Sequence, residues 1–128
     1  MIENLNGIHE TVKYKENSNV KLFINAEAED YPIHWHTPME IIMPLEGGYT
    51  AQIGDDLVHL NESDIIFIAS GVTHRLIAPD TGKRLILQIE WSAVSKIREL
   101  NSILTLISPA ITLTPESSGD IHSNIRKL

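Results

Sequence analysis

The stretch His34-Trp35-His36-Thr37-Pro38-Met39-Glu40, with Gly47 seven residues further on and His74 much later, decides how this chain is read. Side chains alternate along an extended segment, so His34 and His36 share one face and Trp35 takes the other. Glu40 has the same parity as the histidines. On a straight strand it would still lie roughly 20 Å from His34. A bend must therefore bring them together, and Thr37-Pro38 supplies one, because proline fixes its own φ and restricts the residue before it. A chain bent there gathers two imidazoles and a carboxylate around one point, and His74 arrives from another strand.

Outward from this stretch, short apolar runs alternate with turn signals. Val20 to Asn25 reads as a strand, and Glu40 to Leu45 as a buried one. Pro44 lies inside the second run and cannot donate to a ladder, which predicts a bulge or an edge position. Tyr49 to Ile53 and Leu57 to Leu60 flank Gly54-Asp55-Asp56 and form a hairpin pattern. Ile65 to Ile68 is a continuous apolar run, as in a strand covered on both faces. Ser70-Gly71 breaks it, His74 to Ile77 resumes, and Leu85, Leu87, Ile89 and Trp91 alternate with Ile86, Gln88 and Glu90. Strands spaced this way predict an all-β barrel or sandwich. Residues 1–19 read as an arm with one short strand. After Trp91 the period becomes helical, with Ser92 as cap, Val94, Ile97, Leu100, Leu104 and Ile107 on one stripe, and Pro109 closing it. Ile111 to Thr114 reads as a short extended piece, and Asp120 caps a second helix that is unfinished at Leu128. Such an ending reads as a cut within a longer protein.

Composition bounds the function. A chain of 128 residues makes one domain with a real core. Ten Lys plus Arg against 17 Asp plus Glu give a formal charge of −7, which disfavours direct contact with a nucleic-acid backbone. The absence of cysteine removes disulfides, thiolate metal sites and cysteine nucleophiles, and fits a cytoplasmic protein. No apolar run is long enough to span a bilayer, and no signal peptide is visible.

The histidine stretch resembles the first motif of the cupin family: His-x-His, three residues, Glu, six residues, Gly. His34, His36, Glu40 and Gly47 match it in type and spacing. In the second motif Gly71 and His74 stand in place, whereas Ser63, Ala69 and Ala78 replace a glycine, a proline and an asparagine. Ala28 stands where a glycine precedes the first histidine. The resemblance covers roughly residues 20 to 91. It implies a small cupin jelly-roll barrel (a double-stranded β-helix) over residues 20–91, followed by one or two C-terminal helices over 92–128. It also implies a divalent metal held by His34, His36, Glu40 and His74, with Zn²⁺, Ni²⁺, Fe²⁺ or Mn²⁺ all compatible with imidazole and carboxylate ligands. The alternative is a metal-free pocket in which the same four residues form a polar patch.

The order of barrel and helices resembles the N-terminal half of AraC-type transcription regulators. That resemblance implies an effector-sensing and dimerisation module, with the DNA-binding half absent from this chain. The effector would be a small polar or anionic molecule, bound by His34, His36, Glu40 and His74 with Tyr49 and Phe67 as pocket wall, and Ile53 beside them. Val94, Ile97, Leu100 and Leu104 would form either the homodimer seam or simple core. Trp35 packs against the N-terminal arm or a partner, Arg75 faces away from His74, and His9, His59 and His122 read as surface or rim residues. The competing class is a metal-dependent cupin enzyme, a dioxygenase or isomerase, in which an ion polarises substrate.

Overall fold

The computed structural model describes residues 4–14, 18–26, 30–79, 81–90 and 110–114. Among the described residues every regular element is a strand. They run β1 (Leu5–Asn6), β2 (His9–Glu10), β3 (Val20–Asn25), β4 (Tyr31–His34), β5 (Met39–Glu46), β6 (Tyr49–Ile53), β7 (Asp56–Leu60), β8 (Ile65–Ile68), β9 (His74–Ile77), β10 (Lys83–Ile89) and β11 (Ala110–Leu113). The helices expected over 92–109 and after Asp120 lie outside the described residues, as do Trp91, His122 and the seam Val94, Ile97, Leu100 and Leu104. The extended piece expected at Ile111 is β11.

Two antiparallel sheets face one another. One has the order β11-β8-β5-β10-β3 and the other β4-β9-β6-β7. Their facing residues interlock as one core: Ile42, Ile66, Ile68 and Ile86 from the first sheet meet Tyr49, Ala51, Ile53, Leu60 and Leu76 from the second. Side-chain alternation then sends the other face of the five-stranded sheet outward, and that face is buried too. Met39, Ile41, Met43, Ile65, Phe67, Leu87 and Ile89 make a second core there. Buried residues on both faces explain why β5 and β8 read as continuous apolar runs rather than alternating ones.

β10 sorts its residues in an instructive way. Its cleanly periodic apolar set, Leu85, Leu87 and Ile89, belongs to the outer core. The inner face carries Ile86 flanked by Arg84 and Gln88, both fully enclosed. Enclosing polar groups costs free energy unless they are hydrogen-bonded, and partners are present. Arg84 Nε donates to Asn25 Oδ1 at 3.0 Å, Asn25 Nδ2 donates to the Tyr31 hydroxyl at 2.9 Å, and the guanidinium lies 4.5 Å from the Tyr49 ring centre.

Turn chemistry fixes the register. β6 and β7 pair from Ile53↔Asp56 to Tyr49↔Leu60 across a two-residue turn. Gly54 occupies its first central position with φ 60°, as a type II′ hairpin requires. Pro44 lies at the bulge the sequence predicts: the β5–β10 register shifts between Lys83 and Arg84, so that Lys83 faces Glu46 and Arg84 faces Pro44. Pro44 O also accepts a hydrogen bond from Ser63 N at 2.9 Å. Gly82 closes the turn into β10 with φ 122°, and a Cβ there would sit 2.5 Å from Glu46 O. Gly82→Ala is expected to cost about 2–4 kcal/mol, combining a strained φ with a backbone clash. Gly54→Ala, where a Cβ meets nothing within 4 Å, is expected to cost about 1–2 kcal/mol from φ alone. Urea denaturation of both variants checks the order.

Candidate metal and effector centre

The four residues singled out by spacing converge at one end of the barrel interior. β4 ends on His34, which is the direct cross-strand partner of His74 at the start of β9. The chain then bends at Thr37-Pro38. Thr37 O accepts from the Ser70 hydroxyl, and His36 O accepts from Gly71 N at 2.9 Å, so the second-motif loop clamps the bend. Glu40 enters from β5, and Ile53 of β6 lies opposite His74 in the ladder. Ring centres are 4.2 Å apart for His34–His74, 5.0 Å for His36–His74 and 5.5 Å for His34–His36. All four side chains are buried.

The hydrogen bonds set the tautomers. His34 Nδ1 lies 2.8 Å from Pro32 O, His36 Nδ1 2.9 Å from Pro38 O, and His74 Nδ1 2.8 Å from Val72 O. A carbonyl only accepts, so each Nδ1 carries the proton and each neutral ring presents an Nε2 lone pair. Imidazole donor atoms of the three residues fall within 4.8 Å of one another. His74 Nε2 is 3.1 Å from Glu40 Oε2 and His36 Nε2 is 3.6 Å from Glu40 Oε1. Neither approach is aligned as a hydrogen bond, and His36 Nε2, His74 Nε2 and Glu40 Oε2 are buried without a hydrogen-bond partner. Glu40 Oε1 accepts from Gln88 Nε2 at 3.0 Å. Buried unpartnered lone pairs are costly. Three of them aimed at one point, with backbone carbonyls behind every ring, fit a divalent ion held by His34, His36, His74 and Glu40.

Electrostatics follow from the same packing. Burial alone would raise the Glu40 carboxyl, but the His36 and His74 imidazoles beside it outweigh that and hold Glu40 well below the usual carboxylate range. Burial, and then the neighbouring His74, push His34 down from 6.5 to about 4. Burial also opposes charge on His36, yet Glu40 beside it wins and raises its value.

A fifth residue stands here that sequence reasoning did not nominate. Glu10 of β2 is buried, and its Oε1 lies 3.8 Å from His34 Nε2. It arrives because the arm forms a hairpin, β1 with β2, rather than a single strand, and because β2 docks on Trp35. Glu10 N donates to Trp35 O at 2.9 Å, Trp35 N donates to Ile8 O at 2.8 Å, and the His9 and Trp35 rings stack at 4.2 Å. Trp35 thus packs on the arm as expected, and His9 is its stacking partner rather than a bare surface residue. Burial pushes the Glu10 carboxyl upward.

Two further expectations sort differently. Tyr49 and Ile53 face the barrel interior. Phe67 does not: β8 turns Ile66 and Ile68 inward, so Phe67 packs in the outer core with Met39 and Ile41 and cannot wall the pocket. The unbroken apolar run of β8 carries no signal for which face is which. His59 is exposed, contacts the Thr50 hydroxyl at 3.2 Å, and lines a groove of about 610 Å³ with Gly47, Gly48, Thr50 and Pro79. That groove lies at the far end of the β6–β9 ladder from His74 and is separate from the histidine centre. Arg75 is half-buried and points away from the site.

Comparisons agree with this geometry. Residues 22–89 match the cupin domain family. The chain belongs to that family. A segment of 55 residues is 34% identical to an uncharacterized HTH-type transcriptional regulator, YdeC, of Bacillus subtilis (strain 168). The match takes in 42% of this chain and 19% of the regulator, so the segment spans about a fifth of that relative's length. Among solved structures, a cupin-2 domain protein from Shewanella frigidimarina superposes with a TM-score of 0.52 at 19% identity, over 59% of this chain and 76% of that one. Oxalate decarboxylase of Bacillus subtilis, described with Mn(II) centres, gives 0.52 at 19% identity over 59% and 22%. These likenesses fix the fold.

The two shifted imidazoles titrate in opposite senses. The folded value of His34 is depressed, so its contribution to stability is present above 6.5 and fades as pH falls toward about 4. The folded value of His36 is raised, so its contribution is complete below 6.5 and fades as pH rises through the folded value. In metal-free protein, ¹⁵N NMR is expected to show Nδ1-protonated rings for His34, His36 and His74. His34 should titrate near pH 4, and His36 above 6.5.

Proposed function

We propose that this chain is the effector-sensing and dimerisation domain of an AraC-type transcription regulator, binding a small molecule in the cupin barrel. The observation that carries this reading is the buried polar centre inside a barrel whose sequence relative is a segment of an HTH-type regulator. DNA contact would belong to a separate domain, in keeping with the net charge of −7 here. Among the described residues no helix is long and apolar enough to cross a membrane.

The barrel interior supports a small anionic or polyhydroxylated effector. At one end stand the Nε2 atoms of His34, His36 and His74 with the Glu40 carboxylate, and in the same interior Arg84 is enclosed against Tyr49. A divalent ion at the histidine centre would supply Lewis acidity toward a carboxylate or hydroxyl group. The protein's own part is to keep the rings in one tautomer, hold Glu40 through Gln88 and exclude water. An effector acts by binding one conformer more tightly than another, and its effect is bounded by that difference.

The convergent, unpartnered Nε2 atoms favour a second reading, a metal-dependent cupin enzyme. Protein purified without chelator or affinity tag is expected to carry near-stoichiometric divalent metal by elemental analysis, and His36→Ala to lose it, at least about tenfold in affinity. Metal-free wild-type protein would turn the reading to an organic effector held by polar contacts alone. A thermal-shift screen of organic acids and sugars that returns a ligand without turnover supports the sensor over the enzyme. For the homodimer, Leu100→Glu combined with Leu104→Glu is expected to convert a dimer into a monomer in sedimentation velocity, since paired charges in an apolar seam oppose association.

A further inference from the structure

The reading of the histidine centre as a metal site leaves the second buried carboxylate unexplained. Glu40 lies beside His36 and His74, at 3.6 and 3.1 Å. Glu10 lies beside His34, at 3.8 Å. The two carboxylates therefore approach the imidazole triangle at different corners, one from β5 and one from the arm. Burying a carboxylate beside another acidic group is unfavourable without a compensating cation. A side chain as long and mobile as glutamate, at the edge of a two-residue strand, had solvent as an easy alternative. Instead the backbone at Ile8 and Glu10, on either side of His9, is bonded to Trp35, His9 stacks on the Trp35 ring, and Trp35 sits between His34 and His36 in the chain. The arm is docked on the one residue whose register determines where a β2 side chain meets His34.

We propose that Glu10 is a further protein donor to the divalent ion, so that the centre comprises three imidazoles and two carboxylates, and that the ion ties the N-terminal hairpin to the barrel. This rests on the metal reading above. The chemistry selects among ions. Three imidazoles and Glu40 already satisfy a four-coordinate ion such as Zn²⁺. A fifth, oxygen donor matters for ions that take more ligands and tolerate oxygen, such as Mn²⁺ or Fe²⁺. Two carboxylates also balance the charge of a divalent ion in an enclosed site.

The test compares wild type, Glu10→Gln and Glu10→Asp, first metal-free and then titrated with Mn²⁺ and with Zn²⁺ by calorimetry. Glu10→Gln is expected to weaken Mn²⁺ binding by about tenfold or more and Zn²⁺ binding by about threefold or less. Glu10→Asp, which keeps the charge but withdraws it by one methylene, should fall between them for Mn²⁺. As a second readout, Mn²⁺ should slow tryptic cleavage after Lys13 in wild type and leave Glu10→Gln unprotected. Equal Mn²⁺ affinity in wild type and both variants overturns the role of Glu10 while leaving the four-residue site standing. Loss of metal-free stability in Glu10→Gln with unchanged affinity also overturns it, and assigns Glu10 to arm packing. Wild type that binds neither ion overturns this proposal together with the metal reading.

Discussion

Three backbone carbonyls hold the centre of this molecule in order. Pro32 O, Pro38 O and Val72 O each take the Nδ1 proton of a histidine two residues away. Each contact is local, made within a turn of chain, yet together they decide the chemistry of the barrel. They fix ring orientation, select one tautomer in three places, and turn three lone pairs into the interior. Without them the imidazoles would rotate to satisfy Nε2, and the unpartnered atoms facing Glu40 would vanish. Two of those carbonyls belong to prolines, whose fixed φ makes the turn itself less costly to hold. Pro38 therefore bends the chain toward Glu40 and also anchors the ring of His36.

Much of the centre was legible because its grammar is local. The i, i+2 histidines, the Thr37-Pro38 bend and the parity of Glu40 follow from strand geometry, and the bend lies where proline places it. The strands around it were legible from turn chemistry, Gly54-Asp55 most clearly. Phe67 lies in the outer core rather than the pocket wall; Ile65 to Ile68 is apolar at every position, and such a run does not say which face meets the barrel. Glu10 was out of reach for a different reason. Its position depends on the arm docking beside Trp35, a contact between segments that share no pattern. The only sequence hint was the inverse one, that Trp35 must face away from the histidines and so needs a cover. Gln88 reads in the sequence as the polar half of an alternating strand, a pattern that ordinarily assigns such residues to solvent.

That inversion separates the two cores by purpose. The outer core of Met39, Ile41, Phe67, Leu87 and Ile89 is purely apolar and supplies burial. The inner one mixes isoleucines with Glu40, Arg84, Gln88 and three histidines, and gives up some of that burial for polar groups. A single strand, β10, serves both by presenting leucines and isoleucine on one side and Arg84 and Gln88 on the other. The fold thus separates an apolar layer from a polar interior across the thickness of one sheet, so that an inward-facing position of β10 can be exchanged without dismantling the apolar layer.

The spacing of the donors along the chain has a thermodynamic consequence of its own. His34, His36 and Glu40 lie within seven residues, whereas His74 follows Glu40 by 34 positions. On the metal reading, an unfolded chain retains most of the donors, and an ion in solution would stabilise the denatured ensemble as well as the native one. On that reading His74, delivered by sheet closure, Glu10, delivered by the arm, and the tautomer locks distinguish the two. The increment in melting temperature on adding metal would accordingly understate the affinity of such a centre, because the same ion also binds the state it is being measured against.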